Sequence, residues 1–449
     1  MPYRGPHTVT VPGTARGWEA TVGRFGQRSL AEVLRPAIEY AREGYPVTEV
    51  VAAQWAHADD LFSDDHAREA FLPGDRPPRV GETVTLPRLG DSLALVADDG
   101  ADVVYEGAIA DAIVEAVQAK GGFLSKADLA GFEPEFVDPV STTYGGAEIF
   151  ELPPNNQGPV VLEALNVAEA LGLGDYDDPV DRVHYLAEAT KRAFVDGHRY
   201  ITDPVYETVP DFASKAYARE RATEIGPEAT DPEIGVPDSN AEFSDTVLLA
   251  VADDAGNVVS YINSRFAGFG SGLVAGETGI ALQNRGASFS LDPEHPNALE
   301  PGKRPFHTLI PAVAKLGVED WAAFGVMGGY MQPQGHVQVL SHVLDEELPL
   351  QAALDAPRWR YLESGELAIE ARIGDRLSTK LARRGHDLEV LLPALFGGAQ
   401  IARRRETDEH AMRLVFIVKA ELKNGERVRF ETTFESQKTA KVEPTGSYV

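Results

Sequence analysis

Leu30, Val33, Leu34, Ala37, Ile38 and Ala41 recur at three- and four-residue intervals, the apolar stripe of one helix face. Ser29 and Glu32 stand ahead of that stripe as a capping box, and Gly44 with Pro46 closes it, so the pattern predicts a helix over Ser29–Glu43. A second helix is predicted over Ala108–Lys120, stopped by Gly121-Gly122, with a fresh start at Ser125 and Asp128. Tyr144–Leu152 reads as a strand closed by Pro153-Pro154. Pro159–Leu171 reads as a mostly apolar helix and Asp181–Tyr200 as a longer one.

From Gly226 to Asp245 the periodicity disappears into Pro, Asp, Glu and Gly, which predicts a long exposed loop. Thr246–Ala252 is then a continuous apolar run, the pattern of a strand covered on both faces. Asp254-Ala255-Gly256-Asn257 supplies a turn and Val258–Asn263 the returning strand of a hairpin. A strand around Phe324–Met327 leads through Gly328-Gly329 into a helix near Gly335–Leu344, and Met412–Val418 and Arg427–Thr433 read as late strands. Helices and strands mix without regular alternation, so the expectation is a layered α+β sandwich, not a doubly wound sheet.

The 449 residues, 43% of them hydrophobic, suffice for a large core. Lys and Arg number 41 against 70 Asp and Glu, a net charge of −29 that repels phosphate backbones and argues against a nucleic-acid partner. The acidic pairs are scattered, which fits an ordinary solvated surface or adaptation to high salt. With no cysteine there are no disulfides, thiol nucleophiles or thiolate-bound metals. No apolar run reaches membrane-spanning length, and no signal-like stretch follows Met1-Pro2-Tyr3-Arg4-Gly5, so a cytoplasmic protein without membrane contact is expected.

Familiar motifs fail one by one. Gly268-Phe269-Gly270-Ser271-Gly272 has Leu273 where a dinucleotide fingerprint needs glycine, and Arg304-Pro305 after Gly302-Lys303 cannot open a phosphate-binding helix. Ser271 lacks the outer glycines of a nucleophile elbow, no histidines are spaced as metal ligands, and His336 reads as a packed residue. What remains is Thr246, placed where a polar loop becomes a buried strand. Cleavage before it would expose a hydroxyl nucleophile together with its own α-amine, which titrates near ~8 and can act as its base.

Asp245-Thr246-Val247, Asp254-Ala255-Gly256-Asn257, Phe269-Gly270-Ser271-Gly272, Gly276-Glu277-Thr278-Gly279-Ile280, Gly302-Lys303-Arg304-Pro305 and Met327-Gly328-Gly329 occur in that order. Together with Pro12-Gly13-Thr14, Gly121-Gly122-Phe123-Leu124, Pro153-Pro154 before Gly158, and Asp355-Ala356-Pro357-Arg358, they closely resemble the γ-glutamyltranspeptidase family. The resemblance implies an N-terminal-nucleophile hydrolase with a four-layer αββα sandwich. A large-subunit-like region, 1–245, would precede a small-subunit-like region, 246–449, the two forming a heterodimer after self-cleavage between Asp245 and Thr246. It further implies that Thr246 is nucleophile, that Ser264 steadies it, and that Gly328 and Gly329 form the oxyanion hole. Asn284 matches a substrate-facing amide, and His307 and Thr308 the position of a serine pair that binds the glutamate carboxylate. The partners implied are a small-molecule γ-glutamyl or related amide and a water or amine acceptor, with no cofactor and no metal.

Three departures accompany this resemblance. Phe266 and Ser288 stand where typical members hold the glutamyl α-amine with Asn and Asp, as in a divergent branch of γ-glutamyltransferase-like proteins and cephalosporin-acylase relatives. The family's N-terminal section, with sandwich strands and a carboxylate-binding arginine, is expected to be missing here. The usual Ser-Asp-Pro-Arg pattern near the end is also absent. The residues therefore leave open a γ-glutamyl transferase or hydrolase, an acylase for glutaryl-type amides, and an inactive scaffold.

Overall fold

The computed structural model describes residues 1–62, 64–232, 234, 244–406, 412–421 and 427–435. Near the N-terminus, α1 (Leu30–Glu43) opens on the capping box read from sequence, with Ser29 accepting from the Glu32 amide and Glu32 answering at the Ser29 amide. With α2 (Ala108–Gln118) it belongs to a helical region whose core gathers Leu34, Ile109, Ile113 and Leu129.

The strand predicted over Tyr144–Leu152 is β2 (Ala147–Glu151), which starts three residues later and returns from β1 (Val140–Tyr144) in a hairpin. Gly145 and Gly146 divide it because both take positive φ, a turn geometry that a side chain disfavours. Two buried helices follow, α3 (Gly158–Ala170) and α4 (Pro179–Tyr200). Next comes the predicted hairpin, β3 (Ser244–Ala252) and β4 (Val258–Ala267). The rest of the scaffold is β5 (Ala312–Gly317), β6 (Asp320–Val326), α5 (Met331–Leu344), β7 (Ala399–Glu406), β8 (Met412–Glu421) and β9 (Arg427–Glu435). Most of the predicted loop, 226–245, lies outside the described residues.

One antiparallel sheet runs β9-β8-β7-β6-β5-β2-β1. The chain's mixed helices and sheets therefore form an α+β fold, as expected, and the regions before and after Thr246 contribute strands to the same sheet. Alternation along β6 sorts its two faces. Val326 meets Gly335 of α5, whereas a side chain at Gly325 would run into Leu248 of β3. Helices thus cover one face of the sheet and the β3–β4 hairpin covers the other.

The expectation that β3 is covered on both faces is not met. Leu248 is 2% exposed, but Val247 is 63% exposed and Leu249 and Val251 are each 42% exposed. Its inner face packs on β6 and β7, and among the described residues no layer covers the outer one. No described helix is long and apolar enough to cross a membrane.

His336 is a packing residue. Its Nε2 accepts the Val326 amide at 3.2 Å and its Nδ1 lies 2.7 Å from Glu151, joining α5 to β6 and β2 inside the core. Burial raises the Glu151 pKa, opposed by His336.

Two other buried histidines make an acid-sensitivity test. His198 stacks on Phe306 with ring centroids 4.7 Å apart, and His386 bonds His184 at 2.9 Å; burial pushes both His198 and His386 down to about 3. The fold favours their neutral forms, so this contribution to stability is complete above the unfolded value near ~6.5 and is lost as pH falls toward 3. Urea unfolding between pH 6 and 4 should show stability falling by about 1.4 kcal/mol per pH unit for each ring. His198→Phe, a ring of similar size, should remove one such increment from the slope; an unchanged slope would refute the assignment.

Candidate active site

A bulge sets the local geometry. In the β3–β4 hairpin Thr246 pairs with Ser264 and Asp245 with Phe266, which leaves Arg265 as the extra residue on the returning strand. Phe266 takes φ +77°, rare for a residue with a side chain, and Arg265 swings onto the Asp245 carboxylate in an ion pair. Asp245 Oδ2 also accepts the Phe269 amide at 3.1 Å. The residue before the expected cleavage point is therefore held by both a charge and a main-chain donor.

Thr246 Oγ1 lies 3.1 Å from Ser264 Oγ. The Phe266 amide donates to that serine oxygen at 2.9 Å, fixing the serine that holds the threonine hydroxyl. At the entrance to α5, Gly328 and Gly329 take φ +127° and +60°. Their carbonyls accept from Met331 and Gln332, while no hydrogen bond among the described residues uses either glycine N–H. Two adjacent amides are thus left to bind something else.

Four of the residues expected to bind substrate gather around Arg285. Its guanidinium carbon sits 4.4 Å from the centroid of the Phe266 ring, and Nη1 donates to Thr308 Oγ1 at 2.6 Å. Arg285 and Ser288 begin and end one 3-10 turn, and the buried Ser288 hydroxyl interacts with the Tyr330 phenol. Next to Thr308, the His307 ring is held neutral, its pKa pushed well below the usual value first by burial and then by Arg285. Its Nδ1 accepts the Leu309 amide at 3.2 Å, so the proton of the neutral ring sits on Nε2.

Asn284 is engaged differently. The residue is fully buried, its Oδ1 accepts the Ala267 amide at 3.0 Å, and its Nδ2 donates to the Tyr3 carbonyl at 2.7 Å. Both ends of the amide are taken by main chain, tying the end of β4 to the N-terminal segment.

Ser264, Arg285, His307, Asn155 and Asn156 line one cavity of about 620 Å³. Gln157, next to Asn156 in the chain, donates from Nε2 to the Thr308 carbonyl at 2.7 Å and to the Gly329 carbonyl at 3.1 Å. Sequence reading singled out neither Gln157 nor Arg285. Neither sits in a motif with its own spacing, and arginine is normally a surface residue.

Metal-type ligands approach one another at a buried group, His184, Glu188 and His386. Protein partners already occupy them: Glu188 accepts from Lys191 and Thr230, and His184 bonds His386 and the Gly226 carbonyl. The Lys191 ammonium at 2.8 Å from Glu188 supplies the positive charge there.

The model for gamma-glutamyltranspeptidase matches residues 1–418. This chain belongs to the gamma-glutamyltranspeptidase family. Membership places it among the N-terminal-nucleophile hydrolases, on a divergent branch that includes acylase-like proenzymes. It is 37% identical over 405 residues to the glutathione hydrolase-like YwrD proenzyme of Bacillus subtilis, covering 87% of this chain and 75% of that one. With the oxamate amidohydrolase proenzyme of Klebsiella pneumoniae it shares 35% identity over 408 residues, covering 87% and 76%. The crystal structure of cephalosporin acylase from Bacillus halodurans superposes with a TM-score of 0.82 at 43% identity, covering 90% of this chain and 76% of that one.

The Asn284 contacts lead to a direct measurement. Asn284→Ala should cost about 2 kcal/mol in urea unfolding, because it leaves a buried amide N–H and a carbonyl without their partner. Unchanged stability would show that these two bonds do not hold the segment.

Proposed function

We propose that the chain is a proenzyme that cuts itself between Asp245 and Thr246. It then hydrolyses or transfers a γ-glutamyl or related acyl group through an ester on Thr246. The observation that carries this reading is the Thr246 hydroxyl, 3.1 Å from Ser264 Oγ, on the residue whose nitrogen forms the peptide bond at which the hairpin register shifts.

In the precursor the Thr246 oxygen attacks the Asp245 carbonyl carbon. The C–N bond breaks, a proton passes to the threonine nitrogen, and an ester forms. Water then cleaves that ester, leaving the Asp245 carboxylate and a free Thr246 amine. In the processed enzyme this amine accepts the hydroxyl proton as oxygen attacks the substrate amide, and returns it to the departing nitrogen. The resulting acyl-threonine is resolved by water, or by an amine in transfer. The Gly328 and Gly329 amides are suited to the developing oxyanion, since positive φ without a side chain lets main chain approach the reacting carbon.

The two pieces would remain one heterodimer. The larger supplies β1 and β2 to the sheet and the smaller supplies β5 to β9, so separation would tear the sheet between β2 and β5. In this reading the helix, sheet and hairpin layers are three of the four in an αββα sandwich, and the outer face of β3 marks the fourth. The relatives' names refer to glutathione, oxamate and cephalosporin, so this family framework accommodates different acyl groups.

Mass spectrometry of purified wild type should show a fragment beginning at Thr246, while Thr246→Ala stays whole and Ser264→Ala is processed more slowly. A wild-type chain that remains intact on prolonged incubation refutes self-cleavage. For the processed enzyme, kcat/KM should rise with pH through an apparent value near ~8, because the free α-amine acts only when deprotonated. A profile flat through that range would remove the amine as base.

A further inference from the structure

We propose that Arg285 is the anchor for a carboxylate on the acyl group, so that the preferred donors are monoamides of dicarboxylic acids lacking an α-ammonium. This rests on Thr246, whose hydroxyl touches Ser264 of the cavity that Arg285 lines, being the nucleophile, and it names the substrate class which that reading leaves open.

Arg285 is 3% exposed, and its Nη2 is buried with no hydrogen-bond partner. Among the described residues its side chain hydrogen-bonds a neutral hydroxyl, that of Thr308, and its flat face rests on the Phe266 ring. Among the described residues no carboxylate comes within ion-pair distance of it. The other buried arginines are provided for: Arg16 pairs with Asp102, Arg360 with Glu363, and Arg358 donates to the carbonyls of Leu354, Phe396 and Gly397. Burial lowers the Arg285 pKa only to about 10, so the group remains a cation at neutral pH. A buried guanidinium with an idle donor and no counter-ion is costly unless an anion completes it.

Its location identifies that anion as part of the substrate. Arg285 lines the cavity that Ser264 also lines, and the Ser264 hydroxyl touches that of Thr246. Phe266 links the two ends, since its ring carries the guanidinium and its amide fixes Ser264. His307 beside it is neutral and adds no competing charge. Ser288, at the far end of the same turn, adds a second buried neutral hydroxyl, beside that of Tyr330. A cation here attracts a carboxylate and repels an ammonium, so the sign of the selectivity follows from Coulomb's law.

The test compares three p-nitroanilides, of glutarate, butyrate and γ-glutamate, on the processed wild type and on Arg285→Lys, Arg285→Gln and Arg285→Met. Wild type should favour glutaryl over butyryl by roughly 10- to 150-fold in kcat/KM, the range of one charge-assisted contact, and should favour glutaryl over γ-glutamyl. Arg285→Met and Arg285→Gln should bring glutaryl and butyryl to within a few-fold, with Arg285→Lys retaining part of the preference. A second readout needs no turnover: glutarate should raise the melting temperature of wild type but not of Arg285→Met, and glutaramide should raise neither. Without ligand, Arg285→Met should melt no lower than wild type, whereas a structural arginine would leave it destabilised. Equal wild-type rates on glutaryl and butyryl anilides, selectivity that survives in Arg285→Met, or no glutarate shift in wild type each overturns the proposal. A glutarate shift that needs Arg285 in a protein that turns over none of the anilides would uphold the anchor and count against the catalytic reading.

Discussion

The contact between the Thr246 and Ser264 hydroxyls is the constraint around which the rest of the site is arranged. It exists because the hairpin slips register by one residue at Asp245 and Thr246. A regular ladder would put Arg265 opposite one of these residues and reverse the faces of the side chains beyond it. The bulge instead ejects Arg265 toward Asp245, gives Phe266 its positive φ, and turns the Phe266 amide onto Ser264. One displaced residue thus sets the partner of the Thr246 hydroxyl, the restraint on the preceding carboxylate and the ring beneath Arg285. Such a device is cheap in sequence and demanding in structure, since the hairpin must be seated firmly enough for one register to prevail. Leu248 against Gly325 of β6 provides that seating.

The chain leading to the bulge is held at its start as well. Lys191 and Glu188 on α4 bond Thr230, and His184 on the same helix bonds the Gly226 carbonyl. These groups lie in the interior, where an unpaired charge costs several kcal/mol, so they persist only as a mutually satisfied set. A long helix packed against α3 therefore fixes where the segment departs, and the Arg265–Asp245 ion pair fixes where it returns.

Glycine and glutamine do complementary work at the start of α5. Gly328 and Gly329 adopt conformations that a side chain would oppose, while Gln157 spans from the Thr308 carbonyl to the Gly329 carbonyl. The proposed binding and oxyanion sides are thereby joined through one buried amide. This matters for catalysis because donors held rigidly need little reorganisation as charge develops.

The sequence by itself determined the local elements, because their causes are local. The capping box at Ser29 and Glu32, the periodic helices, the turn at Asp254–Asn257 and the change from polar loop to apolar strand at Thr246 are each written within a few residues. The ordered motifs carried the family for the same reason. Where neighbours in space decide, the sequence misled or was silent. The apolar run of β3 could not reveal that one of its faces is open, because coverage depends on which sheet arrives from elsewhere in the chain. For Asn284, expected to face a substrate, the tertiary structure adds what the sequence could not show, bonds from both ends of its amide to the main chain of Ala267 and Tyr3. Arg285 carried no signal at all, one arginine in an acidic chain that could have been solvated like most others. Only the folded arrangement buries it over Phe266 with no carboxylate beside it, and burial is what turns an ordinary charge into a selective one.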